Sequence, residues 1–76
     1  MEEISKKVLG MFRALGKQSL DLHELFEAGG NDPQARVAVF DAVERLVSEG
    51  FMEEEGNDFY SLTEKGKVAA KPIRNT

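Results

Sequence analysis

Carboxylates are the reactive side chains that this sequence places most densely. Residues 21–64 hold twelve acidic residues against two basic ones, which gives this segment a net charge of −10. The densest group is the consecutive run Glu53, Glu54 and Glu55, which Asp58 follows closely. Solvated carboxylates at this density attract cationic partners and repel polyanions such as nucleic acids. The pattern therefore predicts an anionic surface that suits a basic protein partner.

Basic residues collect near the two ends of the chain. Residues 1–20 have a net charge of +2 and residues 65–76 of +4, so the whole chain carries −4. If the last helix packs near the first, the following groups approach each other: Lys6, Lys7, Arg13, Lys17, Lys65, Lys67, Lys71 and Arg74. They would form either an unusual nucleic-acid surface or a solvated basic face that aids solubility, and we favour the second interpretation.

No group of residues is typical of an enzyme or a metal site. His23 is the only histidine and the chain has no cysteine, so an ordinary zinc or copper site lacks its ligands. No nucleophile has a partnered base, and Gly29 and Gly30 are typical of a helix stop rather than of a phosphate-binding loop. We therefore expect no enzymatic activity, no cofactor and no bound metal.

The length and the start of the chain indicate its broad class. Seventy-six residues suit one domain with a modest core. No apolar run approaches the roughly 20 residues that a membrane-spanning helix needs. The acidic beginning at Glu2 and Glu3 is unlike a secretory signal. We expect a cytoplasmic protein that does not act at a membrane.

The first two helices have clear boundaries in the sequence. Apolar residues at helical spacing predict helix one, and Gly16 marks its end. These apolar residues are Ile4, Val8, Met11, Phe12 and Leu15. A short link or strand at residues 19–20 follows. Asp21 can then cap helix two, with Glu24 completing a capping box.

The third helix has the firmest predicted ends. Asp32 is a suitable cap, Pro33 fits the first helical position, and Gly50 ends the helix. Its inward stripe consists of Val39, Val43, Leu46 and Val47. Phe40, at the edge of this stripe, either completes the core or forms an exposed apolar patch with Val37, and the core interpretation is favoured.

Two strands are predicted after helix three. Residues 51–55 and 59–62 have strand character and flank the turn-forming residues 56–58. Because side chains alternate along a strand, Tyr60 and Leu62 share one face, which we expect to be the core face.

A short last helix and a tail complete the chain. Thr63 can cap a helix that runs to about Ala70, and Pro72 should end it. We therefore predict one domain at residues 1–71 and a frayed tail at residues 72–76.

Two segments on either side of the charged hairpin carry a family resemblance. Arg45–Phe51 (RLVSEGF) and Tyr60–Gly66 (YSLTEKG) together resemble the MarR-like and PadR-like winged-helix transcriptional regulators. The resemblance extends from about Asp21 to Gly66, and helix one fits as a preceding support helix. It implies an α+β fold: a small winged helix-turn-helix of order α-(β)-α-α-β-β-α in a single domain.

The resemblance also implies how such a domain would contact DNA. Family members that bind DNA lay the third helix in the major groove and rest the wing on the minor groove or the backbone. The matching positions in this sequence are Gln34, Ala35, Arg36, Val37, Phe40, Asp41 and Glu44. Among them Gln34 and Arg36 suit bases or phosphates, and Lys65 and Lys67 would touch the backbone near the wing. An ion pair with Asp32 is an equally weighted role for Arg36.

Two hypotheses of function follow. The preferred one is a regulatory module that binds a basic protein or a second copy of the chain through the acidic surface of helix three and the wing. Its residues are Val37, Phe40, Asp41, Glu44, Glu53, Glu54 and Glu55. The alternative is a transcriptional regulator that binds duplex DNA, which the acidic residues oppose because two like charges about 4 Å apart repel by ~1 kcal/mol even in water.

Overall fold

The computed structural model describes residues 3–30 and 32–70, which form helices and a three-stranded antiparallel sheet. In chain order the elements are α1 (Glu3–Leu15), β1 (Ser19–Asp21), α2 (Leu22–Gly29), α3 (Pro33–Ser48), β2 (Met52–Gly56), β3 (Phe59–Leu62) and α4 (Glu64–Ala70). The α+β class predicted from the sequence is confirmed. The predicted tail at residues 72–76, with Pro72, lies outside the described residues.

The caps predicted for α2 and α3 are present. The Glu24 backbone N–H donates to Asp21 Oδ1 at 2.7 Å, and the Asp21 N–H donates to Glu24 Oε1 at 3.3 Å, which completes the capping box of α2. At the start of α3 the Ala35 N–H donates to Asp32 Oδ1 at 2.7 Å, and Pro33 occupies the first turn. These local bonds satisfy N–H groups that have no partner within the helix.

The end of α3 is a glycine stop of the Schellman type. The Phe51 N–H donates to the Leu46 carbonyl at 2.9 Å, and the Gly50 N–H donates to the Val47 carbonyl at 3.1 Å. Gly50 has a φ of 85°, a conformation that other residues adopt only with strain. The chain therefore turns sharply out of α3 into β2.

The sheet has the order β1-β3-β2, with β3 in the centre. Tyr60 of β3 faces Leu20 of β1 on one side and Glu54 of β2 on the other. The β2–β3 hairpin turns at Asn57 and Asp58, which both have positive φ as a tight hairpin turn requires. The register shifts between residues 54 and 56, which places a bulge beside the turn.

One hydrophobic core lies between the helices and one face of the sheet. Its buried apolar side chains are Val8, Leu9, Met11, Phe12, Leu20, Leu25, Val39, Ala42, Val43, Leu46, Met52 and Tyr60. Leu62 is partly buried against this core, so the predicted inward facing of Tyr60 and Leu62 is confirmed. No helix among the described residues has the length and hydropathy needed to cross a bilayer.

The predicted apolar stripe of α1 is wrong at its last position. Leu15 is 49% exposed. It is the final residue of the helix, and Gly16 turns the chain away directly after it with a φ of 65°. Leu15 therefore lies beyond the part of α1 that covers the core. Leu9, which the predicted stripe did not include, is buried.

The last helix is fastened to the end of α3. The Thr63 hydroxyl donates to the Gly50 carbonyl at 2.6 Å and accepts from the Gly66 N–H at 3.1 Å, so Thr63 is the predicted cap. Lys65 Nζ donates to the Glu49 carbonyl at 2.8 Å. A β-carbon on Gly66 would overlap the Phe51 carbonyl oxygen, so only glycine permits this packing.

Candidate functional site

The outward face of α3 combines apolar and acidic side chains. Val37, Phe40, Asp41 and Glu44 recur at helical spacing, so they lie on one face of the helix. All four are exposed, with 62% of Val37 and 36% of Phe40 accessible. We call these four residues the α3 stripe. Two apolar side chains there neighbour two carboxylates.

The favoured prediction that Phe40 completes the core is wrong. A helix advances about 100° per residue, and the buried stripe of α3 already fills the space between this helix and its neighbours. Phe40 lies at the edge of that stripe and leaves 36% of its surface accessible. The other interpretation, an exposed apolar patch with Val37, is the one that the structure supports.

The three consecutive glutamates of the hairpin do not form one cluster. Glu53 pairs with Ser61 in the sheet, and Glu55 Oε2 accepts from the Ser61 hydroxyl at 2.8 Å, so Glu53 and Glu55 lie on the outer face of the hairpin. Glu54 pairs with Tyr60 and lies on the other face. Strand alternation therefore divides the acidic run between two surfaces.

Carboxylates from α3 and the hairpin lie within electrostatic range of the Tyr60 hydroxyl. Tyr60 is only 7% exposed, and burial raises the pKa of its hydroxyl above the ordinary value. The negative charges of Glu54, Asp58 and Glu44, in decreasing order of effect, raise this pKa further because they repel the tyrosinate anion. We call Glu44, Glu54 and Asp58 the acidic cluster.

The acidic cluster is suited to charge recognition rather than to metal binding. Among residues 3–30 and 32–70, no three acidic or histidine side chains are grouped closely enough to hold a metal ion. His23 lies elsewhere, on α2, with Nε2 3.2 Å from Glu27 Oε1 on the surface. What the cluster can do chemically is attract ammonium or guanidinium groups.

The predicted DNA-reading residues of α3 have separate surroundings. Gln34 is exposed near the start of the helix. The Arg36 guanidinium carbon lies 4.9 Å from the centre of the Phe26 ring in α2, a cation–π contact. The Asp32 carboxylate, the alternative partner for Arg36, accepts the capping bond of the helix instead.

The two lysines predicted to lie near the wing also have different neighbours. Lys65 reaches the end of α3, where its Nζ bonds the Glu49 carbonyl and lies 4.4 Å from the centre of the Phe51 ring. Lys67 instead lines a groove between α1 and α4. Of the two, Lys65 is therefore the one that the fold directs toward α3.

The groove between α1 and α4 is a site that the sequence does not predict. It has a volume of about 240 Å³ and is lined by Phe12, Arg13, Lys17, Gln18, Leu62, Lys67 and Ala70. We call it the α1–α4 groove. Here basic residues from the two ends of the chain do approach each other, as α1 packs against α4. Lys71 and Arg74 lie outside the described residues, and Lys6 and Lys7 flank a separate hollow beside Ile4.

Lys17 connects the groove to α2. Its Nζ lies 2.6 Å from Glu24 Oε2. The hydrogen bond and the charge of Glu24 raise the pKa of Lys17, and the same bond lowers the pKa of Glu24. Lys17 is therefore held in place at the rim of the groove.

Tyr60 is the part of the acidic surface that the sequence prediction misses. The sequence includes Asp58 in the acidic group of the hairpin, but it assigns Tyr60 only to the core. Strand alternation puts Glu54 on the side of Tyr60, but only the folded protein brings the charge of Glu44 in α3 within electrostatic range of Tyr60. Comparison with protein-family models, curated proteins and solved structures finds no match for this chain.

Proposed function

We propose that this protein is a small winged-helix regulatory module, without catalytic activity, that binds a basic protein partner. The binding surface consists of the α3 stripe and the acidic cluster. The partner contributes lysine or arginine side chains to the carboxylates and an apolar contact to Val37 and Phe40.

The order of the elements supports the winged-helix assignment. Helices α2 and α3 follow one another, the hairpin of β2 and β3 comes directly after α3, and β1 completes the sheet. The hairpin would then be the wing. In this arrangement the outer face of α3 and the hairpin form one contact surface, to which we assign partner binding.

The exposure of acidic side chains on both α3 and the neighbouring hairpin carries the proposal of a basic partner. The three carboxylates of the acidic cluster come from α3 and from the hairpin, and all three raise the pKa of the Tyr60 hydroxyl. Each of the three is exposed, so a partner can reach them. A cationic side chain placed among them would meet attraction from all three, whereas a phosphate would meet repulsion.

A titration with two matched peptides tests this function. One peptide is rich in lysine and the other has glutamine at the same positions, and neither contains tyrosine or tryptophan. Tyr60 is the only tyrosine and the protein has no tryptophan, so the tyrosine fluorescence comes from Tyr60 alone, which pairs with Glu54 of the proposed surface. We expect the basic peptide to bind, and to bind less tightly as salt is added, and we expect the neutral one not to bind.

Two variants of equal charge sharpen this test. Glu54→Gln removes a member of the acidic cluster, and we expect it to weaken binding by roughly 0.5–1 kcal/mol, or about two- to fivefold. Glu53→Gln is the control because it changes the same strand by the same charge on the opposite face. Equal losses of affinity in the two variants would mean that only the net charge of the protein matters. Absence of both peptide binding and self-association in the native protein would refute the proposal.

Duplex DNA is the second candidate ligand. Gln34 and Arg36 are exposed near the start of α3, where the winged-helix resemblance implies base contacts. A fluorescence titration with mixed-sequence duplex across a range of salt tests this candidate. Binding that weakens steeply with salt and disappears in Arg36→Glu would favour it, and no binding at low salt would eliminate it.

A further inference from the structure

The α1–α4 groove has an apolar floor and a basic rim. Phe12, Leu62 and Ala70 line the floor, and Arg13, Lys17 and Lys67 lie at the edge. Lys17 Nζ pairs with Glu24 at 2.6 Å and Lys67 Nζ with Glu64 at 3.6 Å, so Arg13 contributes the unneutralised charge of this rim. Arg13 is exposed and forms no ion pair within the described residues. Such a groove favours one large apolar side chain that has carboxylates beside it.

Polyanions with no apolar group fit this groove less well. A phosphate backbone would pair with the cations but would leave the floor of Phe12 and Leu62 uncovered. The groove volume of about 240 Å³ is also small for a whole helix and admits a single side chain from one. The occupant should therefore be an exposed aromatic or aliphatic residue on an acidic helix face.

The α3 stripe has this composition. Phe40 and Val37 are its exposed apolar side chains, and Asp41 and Glu44 are the neighbouring carboxylates. Because α1 packs against the buried side of α3, the stripe faces away from α1. Phe40 therefore cannot enter the groove of its own molecule, and the two surfaces can meet only between copies.

We propose that the protein self-associates head to tail, with Phe40 of one copy inserted in the α1–α4 groove of the next. Asp41 and Glu44 then face Arg13 and Lys67 across the contact. The contact is heterologous, since it joins two different surfaces. The inference rests on the proposed function, because it identifies the basic partner of the α3 stripe as a second copy.

This contact makes the acidic surface and the groove interdependent. A copy whose α3 stripe is occupied by an external basic protein cannot donate that stripe to a neighbour. A basic peptide should therefore dissociate the self-associated protein. Added salt should weaken both interactions, since exposed charges contribute to each.

Two variants, each disabled on one surface, test the proposal by sedimentation equilibrium. Arg13→Glu reverses a charge at the rim of the groove and leaves the α3 stripe unchanged. Phe40→Asp removes the apolar anchor of the α3 stripe and leaves the groove unchanged. We expect each variant alone to associate at least about tenfold more weakly than the native chain, as for loss of a central anchor. An equimolar mixture should form dimers that grow no further, because only one productive contact remains.

Control variants distinguish this contact from a general effect of charge or of misfolding. Lys7→Glu makes the same charge change on α1 outside the groove and should associate like the native chain. Val37→Asp serves as a second stripe variant, since Val37 is more exposed than Phe40 and its replacement disturbs the core less. Circular dichroism establishes that each variant is folded.

Three results would overturn the head-to-tail contact. The first is a native protein that stays monomeric at its highest soluble concentration, and the second is a mixture of the two variants that fails to form dimers. The third is undiminished association of Arg13→Glu, which would indicate a contact between two stripes instead. Arg13→Glu should still bind the lysine-rich peptide, so the proposed function can hold even if the head-to-tail contact fails.

Discussion

Two glycines inside helices would respond in opposite ways to an added β-carbon. Gly10 lies in the middle of α1, and a β-carbon there would meet nothing within 4 Å. Gly66 lies in α4, and a β-carbon there would overlap the carbonyl oxygen of Phe51. Packing therefore requires glycine at position 66, whereas glycine at position 10 only adds backbone freedom.

Replacing each glycine by alanine tests this contrast. We expect Gly10→Ala to raise the free energy of unfolding by about 0.5–1 kcal/mol, because alanine restricts the unfolded chain and favours the helix. We expect Gly66→Ala to lower it by roughly 1–3 kcal/mol, because α4 must move away from Phe51. Urea denaturation followed by circular dichroism measures both. Equal changes in the two variants would contradict the packing argument.

At the scale of elements, α4 packs against α1 and makes three further contacts with the segment that follows α3. Thr63 bridges from the Gly50 carbonyl to the Gly66 N–H, Lys65 caps the Glu49 carbonyl, and Gly66 allows close approach to Phe51. Helix α4 has only seven residues, too few for a stable helix in isolation. Its structure therefore depends on its packing against α1 and on these three contacts.

Removing the Thr63 hydroxyl should loosen α4. We expect Thr63→Ala to lower the free energy of unfolding by about 1–2 kcal/mol, since a cap and a bridging hydrogen bond are lost together. Thr63→Ser keeps the hydroxyl and should remain near the native value. Amide hydrogen exchange in α4 gives a local measurement, and equal exchange rates in both variants would argue against the bridge.

Helix ends could be predicted from the sequence because the interactions that make them are local. Asp21, Asp32 and Gly50 each act within a few residues, and all three are found as predicted. Side-chain facing was harder. The outward position of Phe40 depends on how much core the neighbouring elements fill, and the separation of Glu54 from Glu53 depends on the hairpin register.

At the scale of the whole molecule, two surfaces of opposite charge arise from distant parts of the chain. The acidic cluster combines α3 with the hairpin, and the groove combines α1 with α4. Counting charges along the sequence located the acidic middle segment and the basic ends. It could not locate the apolar floor of the groove or the carboxylates within electrostatic range of Tyr60, because these arrangements exist only when the elements pack.

The pKa of Tyr60 reports whether the acidic cluster is assembled. We expect Glu54→Gln to lower this pKa toward the ordinary value and Glu53→Gln to leave it almost unchanged, since only Glu54 shares the face of Tyr60. Absorbance of the tyrosinate during an alkaline titration measures it. Equal pKa values in the two variants would place the carboxylates elsewhere.

The same hydroxyl should make stability depend on alkaline pH. The folded protein holds the Tyr60 proton more tightly than the unfolded chain does, because the pKa is raised on folding. The contribution is therefore constant at neutral pH, and stability falls as the pH rises above about 10, where the unfolded chain loses this proton first. Urea denaturation at increasing pH should show a smaller fall in Glu54→Gln.

The outermost position of β2 gives the hairpin glutamates one more consequence. An outer strand has backbone N–H and C=O groups without strand partners, onto which another chain can add and start an aggregate. Glu53 and Glu55 place like charges along this strand, and the bulge near Glu55 distorts it, so a second copy cannot dock flat against it. Glu53 and Glu55, which lie outside the acidic cluster, therefore place like charges where an added strand would have to pair, and this repulsion opposes amyloid-like stacking.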